Sequence, residues 1–337
     1  MGPVENRHFM RDRGRVVITG ATGFIGAHLV RRIQELGAKV RVLVRPNAHG
    51  TSFPMGKIEV AFGDLRDKAS MVGLCRDADL VFHLGATQAF GLRDSEFLDI
   101  NVTGTERLIQ LARQEGVRRF ILVSSGGVHH NDSGEPVHEE SMVRSSNVYF
   151  ESKIQAEAVA RDLYRNDPGC LTIVRPSFVY GPGDHRRLKL YRAVVRGCFM
   201  MIGPGTRFIH PVYCEDLVEG LLLSGTDPGR GETFLLGGPE VLSLQEFTGV
   251  IARAAGVSPP RWKIPVGPVR LAATLCEFLF RPFGGAPPLN HRRLGFFLNH
   301  RNYDVTKART LLGFEPRISV EDGVRRTLEW YKREGWI

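Results

Sequence analysis

The stretch ITGATGFIGAHL, residues 18–29, constrains this chain more than any other. The β-branched run RVVIT (15–19) leads into it. FIGAHLVRRIQELG (24–37) follows, with Ile25, Leu29, Ile33 and Leu36 on one helical face. Glycines fall at 20, 23 and 26. Gly20 permits a tight turn, Gly23 lets the backbone approach a pyrophosphate, and Gly26 lets the helix pack close to the strand. The helix start offers free N–H groups and a positive dipole end to the anion. Thr22, Phe24 and Ile25 line the same turn. A glycine triplet placed between a strand and a helix predicts a dinucleotide site.

The same alternation continues. KVRVLV (39–44), KIEVAFGD (57–64), DLVFHLGA (79–86), RFILVSS (119–125) and CLTIVRP (170–176) read as strands, with helices over 94–115 and 148–166 between them. Near-continuous apolar strands imply burial on both faces. The expected fold class is α/β, a doubly wound, mainly parallel Rossmann sheet of about seven strands with a smaller C-terminal α/β lobe. Residues 14–180 form the dinucleotide-binding domain, and a segment at about 208–240, containing ETFLLGG (232–238), returns to the sheet. Residues 181–207 and 241–337 form the substrate-binding lobe, where glycine and proline become frequent.

Charge and cysteine usage narrow the partners. Lys and Arg number 45 against 36 Asp and Glu, a net charge of +9 over 337 residues. That balance suits anionic ligands or surfaces. Aromatics do not interleave with the basic clusters, so nucleic acid is not expected. Five scattered cysteines without a C-x-x-C pair argue against a disulfide scaffold and against a metal site. The polar opening MGPVENRHFMRDRG lacks an apolar core, so a cytoplasmic location is expected.

The second strand ends in Val44 and Arg45. NAD enzymes of this architecture usually place an acid here for the ribose diol. Arginine instead attracts a 2′-phosphate, so NADP is expected ahead of NAD. If Arg45 only stacks on the adenine, either cofactor fits. Asp64 and Leu65, after the third strand, are placed to meet the adenine edge.

In NVYFESKIQAE (147–157), Tyr149 and Lys153 stand one helical turn apart. Taken with the glycine loop, GDL (63–65), HLGA (83–86), NVTGT (101–105), VSS (123–125) and RPSFVYGPGD (175–184), in that order, the chain resembles the extended short-chain dehydrogenase/reductase family. It is most similar to the 3β-hydroxysteroid dehydrogenase-like and ketone-reducing branches. The resemblance implies an NAD(P)(H)-dependent enzyme that interconverts a secondary alcohol and a ketone by hydride transfer. Tyr149 matches the general acid/base, Lys153 the residue that lowers its pKa and holds the nicotinamide ribose, and Ser125, rather than Ser124, the hydroxyl that polarises the substrate oxygen. Asn101 matches a residue at a helix bend that fixes a water or the active-site backbone. Leu84, Gly85 and Ala86, with Pro176, Phe178 and Val179, fall along the cofactor. Thr87, Gly126, His129, Phe178 and Arg207 fall at the substrate pocket. The family also pairs helices 94–115 and 148–166 in a homodimer, through Phe97, Ile100, Leu108, Leu111, Val148, Ile154, Val159 and Leu163.

Departures from the family pattern matter as well. Nucleotide-sugar enzymes usually carry an amide where this chain has Phe178, and their arginine is matched only loosely by Arg207. Gly126 and Gly127 follow the serine where dehydratases place acids, which argues against water elimination. A nucleotide-sugar epimerase using a retained NAD is the alternative reading. His129 and His130 line the pocket or lie in solvent. The basic run HRRLKLYRAVVRG (185–197) is a solvated face or meets an acidic group. Residues 264–301, rich in Leu, Phe and Arg, are ordinary packing or an apolar flap whose basic rim makes a peripheral membrane contact. The substrate is expected to be a small molecule that is apolar or carries an acidic tail.

Overall fold

The computed structural model describes residues 14–46, 58–88, 92–145, 147–280, 287 and 289–337. Among them, seven strands form one parallel sheet. They are β1 (Arg15–Thr19), β2 (Lys39–Val44), β3 (Ile58–Phe62), β4 (Leu80–His83), β5 (Arg119–Val123), β6 (Leu171–Pro176) and a later strand, β11 (Thr233–Leu236). Their order is β11-β6-β5-β4-β1-β2-β3. The chain starts in the middle of the sheet, builds to one edge, and crosses back to build the other. That reversal beside β1 opens a crevice at the carboxyl ends of β1 and β4, where such sheets take ligands.

Alternation along the strands sorts the core into two layers. Val16, Ile18, Val40, Val42 and Phe82 face α1 (Phe24–Glu35) and α6 (Cys214–Ser224). Val17, Leu43, Val81, Phe120 and Leu122 face the other way, toward Leu108, Ile109, Ala112 and Ala160. The period-2 alternation gives each layer its own residues. A third cluster lies off the sheet. It gathers α5 (Leu188–Val195), α7 (Leu244–Ala255) and α11 (Val320–Arg333) around Tyr180, Tyr191, Tyr213, Phe247 and Tyr331. Short pairs stitch it together: β7 (Phe178–Tyr180) with β10 (Pro211–Tyr213), β8 (Met201–Ile202) with β13 (Lys263–Ile264), and β9 (Phe208–Ile209) with β12 (Leu242–Ser243).

The expected helix over 94–115 is not continuous. It breaks into α2 (Asp94–Leu98), a π-helical turn over Asp99–Thr103, and α3 (Gly104–Gln114). One extra residue in the turn shifts the helical phase. Phe97, Leu108 and Leu111 are buried in the chain's own core, and Ile100 is half-buried. The second expected helix is α4 (Val148–Leu163), with Val148, Ile154, Val159 and Leu163 half-buried. The remaining helices are α8 (Val266–Phe280), α9 (His291–Leu298) and α10 (Thr306–Leu312).

A buried ion pair ties the sheet to the loop after β5. Arg175 of β6 donates Nε and Nη2 to the two oxygens of Glu157 on α4, at 3.0 and 2.6 Å, with both side chains nearly inaccessible. Its Nη1 reaches the Glu139 carbonyl at 2.8 Å and His129 Nε2 at 3.0 Å. His129 is therefore not a solvated residue. It is buried, and accepting from Arg175 fixes its orientation. Glu139 closes the network by accepting from the Leu235 N–H of β11. Removing one partner of a buried pair strands the other charge. Arg175→Met is expected to lose about 3–5 kcal/mol of unfolding free energy. Urea unfolding measures it, and a loss below about 1 kcal/mol would mean that Glu157 finds other solvation.

Candidate active site

The glycine turn is built by exclusion of side chains. Gly20 has φ +71°, and a Cβ there would lie 2.7 Å from the backbone of Leu84 and Gly85. A Cβ on Gly26 would lie 2.1 Å from the Gly20 carbonyl oxygen. The Gly23 N–H donates to that same carbonyl at 3.0 Å. Gly23 caps α1 without a side-chain hydrogen bond, and the first turn holds no acid, so the helix carries no acid of its own against its positive end. Thr22 and Gly23 are exposed, and Phe24 and Ile25 half-exposed, at the mouth of the crevice. The cradle fits a dinucleotide pyrophosphate, which needs bare backbone and free N–H groups.

The carboxyl ends of the strands converge on the same crevice. The Leu84 N–H donates to the Thr19 carbonyl, and Gly85 to the Thr19 hydroxyl at 3.1 Å. Leu84 and Gly85 thus lean on the glycine turn, and Ala86 follows them in the chain. Arg45 is exposed past β2, where its charge acts on Asp64. Asp64 is not free. Arg66 donates to both of its oxygens at 2.9–3.0 Å and holds its pKa below the usual carboxylate range. Leu65 is buried beneath.

Asn101 occupies the π-helical turn and points inward. Its Oδ1 accepts from the Thr87 N–H at 2.7 Å, and its Nδ2 donates to the Thr87 carbonyl at 3.1 Å and to Ser152 Oγ at 2.8 Å. Ser152 donates in turn to the Tyr149 carbonyl at 2.7 Å. One amide therefore couples the loop after β4 to α4, and the serine between Tyr149 and Lys153 acquires a role. Lys153 is buried and donates Nζ to the Val123 carbonyl at 2.9 Å, at the end of β5. Burial pulls its pKa down to about 8, against the opposing pull of Glu157. Tyr149 is 7% exposed, and its phenol oxygen accepts from Gln88 Nε2 at 2.6 Å.

Ser125 caps the short turn over Gly126–Val128, accepting from the Gly127 N–H, and is half-exposed. Ser124 is buried, with its hydroxyl unpartnered. The two glycines after Ser125 have a steric reason. A Cβ on Gly126 would lie 2.9 Å from the Tyr303 ring, and one on Gly127 would lie 2.3 Å from the Phe150 ring. The Pro176 carbonyl comes up against Gly126, and Val179 is half-buried on β7.

Two expected pocket residues are held by side-chain contacts of their own. Phe178 is 2% exposed, with its ring against Phe247 and Phe296 and the Arg187 guanidinium 4.0 Å above it. Its side chain belongs to the third cluster, because β7 is paired there rather than in the main sheet. Arg207 is held by His300 Nε2 at 2.5 Å and by the Asp132 carbonyl. Gln88 had no sequence signal, since nothing in its spacing marks it. It bridges Tyr149 to Arg186 across the cleft. His83 is structural, its ring set between Thr19 Oγ1 at 2.6 Å and Thr105 Oγ1 at 2.9 Å.

Comparison with known proteins now identifies the chain's kin. The sequence model described as the NAD dependent epimerase/dehydratase family matches residues 16–237. The chain belongs to that family. It is 28% identical to the 3 beta-hydroxysteroid dehydrogenase/Delta 5→4-isomerase of Mycobacterium tuberculosis, covering 95% of this chain and 91% of the relative. It is also 28% identical to a 4-hydroxy-2-methyl-3-oxo-4-farnesyl-3,4-dihydroquinoline-1-oxide ketoreductase of Stigmatella aurantiaca, covering 92% and 94%. The crystal structure of DesIV, a dTDP-glucose 4,6-dehydratase from Streptomyces venezuelae with NAD bound, superposes with a TM-score of 0.77 at 26% identity, covering 96% and 98%. The protein is thus an NAD-dependent enzyme of the extended short-chain dehydrogenase/reductase type.

Burial makes two histidines report on pH. His83 is pulled down to about 3 by burial, and His129 to about 4 by burial and the adjacent Arg175. Both sit below the unfolded value near 6.5, so the unfolded chain takes up protons first. Their contribution is fully present above about pH 6.5 and is lost as pH falls toward those values. Between pH 7 and pH 5, His129→Gln is expected to lose about 2 kcal/mol less stability than the parent. Urea unfolding at the two pH values measures the difference, and equal losses would contradict the placement of His129.

Proposed function

We propose that this enzyme is an alcohol dehydrogenase or ketone reductase that prefers NADP(H), acts on an apolar or acid-tailed ketone, and works as a cytoplasmic homodimer. What supports it is that Lys153 bonds the last residue of β5, Ser125 follows two residues on, and Tyr149, one turn before Lys153, meets Gln88 in the loop after β4. In this reading residues 14–180 and the returning segment hold the dinucleotide, and the C-terminal lobe holds the substrate. A bound nicotinamide supplies or accepts the hydride. Gly20, Gly23 and Gly26 seat its pyrophosphate, and Arg45 meets the 2′-phosphate.

Tyr149 then moves the proton at the substrate oxygen. Ser125 donates to that oxygen and polarises the carbonyl. The Lys153 ammonium favours the phenolate and holds ribose hydroxyls, exchanging the Val123 carbonyl for them. Asn101 acts through Thr87 and Ser152 as a positioning residue. Ile100, Val148, Ile154 and Val159 form the dimer face.

One observation favours the nucleotide-sugar epimerase as a second reading. The Arg187 guanidinium lies 4.0 Å from its nearest carboxylate, Asp184, and its Nε has no hydrogen-bond partner. Arg186 and Arg301 lie near enough to act on it electrostatically. Such a basic cluster suits a substrate phosphate or carboxylate. An epimerase purifies with nicotinamide bound and shows no net cofactor turnover, whereas a reductase consumes free NADPH.

Tyr149→Phe is expected to lower turnover at least ~100-fold with cofactor affinity kept. Steady-state rates alongside calorimetric cofactor titration test this, and a near-parental rate would remove Tyr149 from the chemistry. Arg45→Ala is expected to weaken NADPH by about 1.5–3 kcal/mol and NADH far less. An equal effect on both would reduce Arg45 to an adenine-stacking residue.

A further inference from the structure

Helix α8 differs from the other helices in what it leaves in water. Of Val266–Phe280, Ala273 alone is buried. Leu271, Leu275, Phe278 and Leu279 are 63, 52, 72 and 62% exposed. At the helical repeat these four fall in one stripe about 100° wide. Trp262, just before the helix, is 73% exposed. Its carbonyl accepts from the Met201 N–H, which brings the exposed Met200 alongside. Single exposed apolar residues are ordinary on a folded surface, but a contiguous stripe marks a contact face.

The charges beside the stripe select what covers it. Arg261, Lys263 and Arg270 are exposed. The one acid of the helix, Glu277, is engaged by His291, which donates its N–H at 2.8 Å and places its ring Nδ1 at 3.0 Å. The rim is therefore basic. A second copy of this chain would bring two basic rims together, and a neutral apolar partner would leave them unmatched. An anionic lipid surface matches both features: the stripe enters the acyl boundary while arginine, lysine and tryptophan sit among the head groups. No helix among the described residues is long and apolar enough to cross a membrane, so such a contact lies in the plane of the interface.

We propose that α8 is an interfacial anchor that docks this enzyme on bilayers containing anionic lipid. α8 packs on α9, whose Phe296 ring lies 6.1 Å from Phe178. The docked face is thus one helix away from Phe178, two residues past the end of β6.

The test uses the full chain in flotation with vesicles of phosphatidylcholine alone and of phosphatidylcholine mixed with phosphatidylglycerol. The comparison is the double variant Leu275→Glu with Phe278→Glu, whose sites are both more than half exposed and whose unfolding midpoint checks the fold. The parent is expected to float with the mixed vesicles, less so as salt is added. The double variant is expected to lose at least about tenfold in partitioning. Tryptophan emission should shift to the blue on binding, a change that Trp262→Phe removes. Absence of flotation, or equal flotation by the double variant, overturns the proposal. So does a change of oligomeric state in the double variant without lipid binding by the parent, which would assign the stripe to a second copy.

Discussion

The approach of α1 to the end of β1 is the contact on which the cofactor crevice depends. Gly26 passes so close to the Gly20 carbonyl that no side chain fits between them. The same carbonyl accepts from Gly23 and sets the first turn of the helix. Gly20 itself sits against Leu84 and Gly85, so the β1 turn and the β4 loop are placed by one steric condition. A methyl group at position 20 or 26 would push apart the helix start, which offers N–H groups to the pyrophosphate, and the loop that leads to Thr87. The proposed pyrophosphate cradle and the loop that leads to Thr87 therefore share the Gly20 backbone.

From that contact, order passes outward through polar groups rather than apolar ones. Asn101 holds both backbone groups of Thr87, and Ser152 carries the connection to the Tyr149 carbonyl. Beneath Tyr149 and Lys153, Glu157 on the same helix is locked to Arg175 of β6. α4 is thus fixed at one end by an amide network and further along by a buried ion pair. A phenol and an ammonium one turn apart keep their geometry only if the helix carrying them cannot rotate, and these two attachments resist rotation.

Much of this was legible in the sequence because its causes are local. The glycine turn, the apolar strands and the Tyr149–Lys153 spacing each encode their geometry within a dozen residues or fewer. What was not legible depends on distant partners. Gln88 meets Tyr149 across 61 positions, and Arg175 meets His129 across 46. No periodicity marks either pair, so the burial of His129 against a guanidinium is invisible in the sequence. The packing of Phe178 was hidden for a related reason: two residues past β6 the chain leaves the main sheet for a separate pairing with β10. The break in the helix over 94–115 was hidden because a single inserted residue alters phase without altering composition. Gly126 and Gly127 departed from the dehydratase pattern, and their neighbours Tyr303 and Phe150 now supply the steric cause.

Seating of a dinucleotide by the glycine turn, against this network, is tested most directly by calorimetric titration of NADPH. The parent chain and Gly26→Ala are compared after circular dichroism has shown the same helix content in both. One NADPH per parent chain is expected, with a loss of at least about tenfold in affinity for Gly26→Ala, the equivalent of about 1.4 kcal/mol. Absence of binding by the parent, or unchanged affinity in the variant, would contradict it.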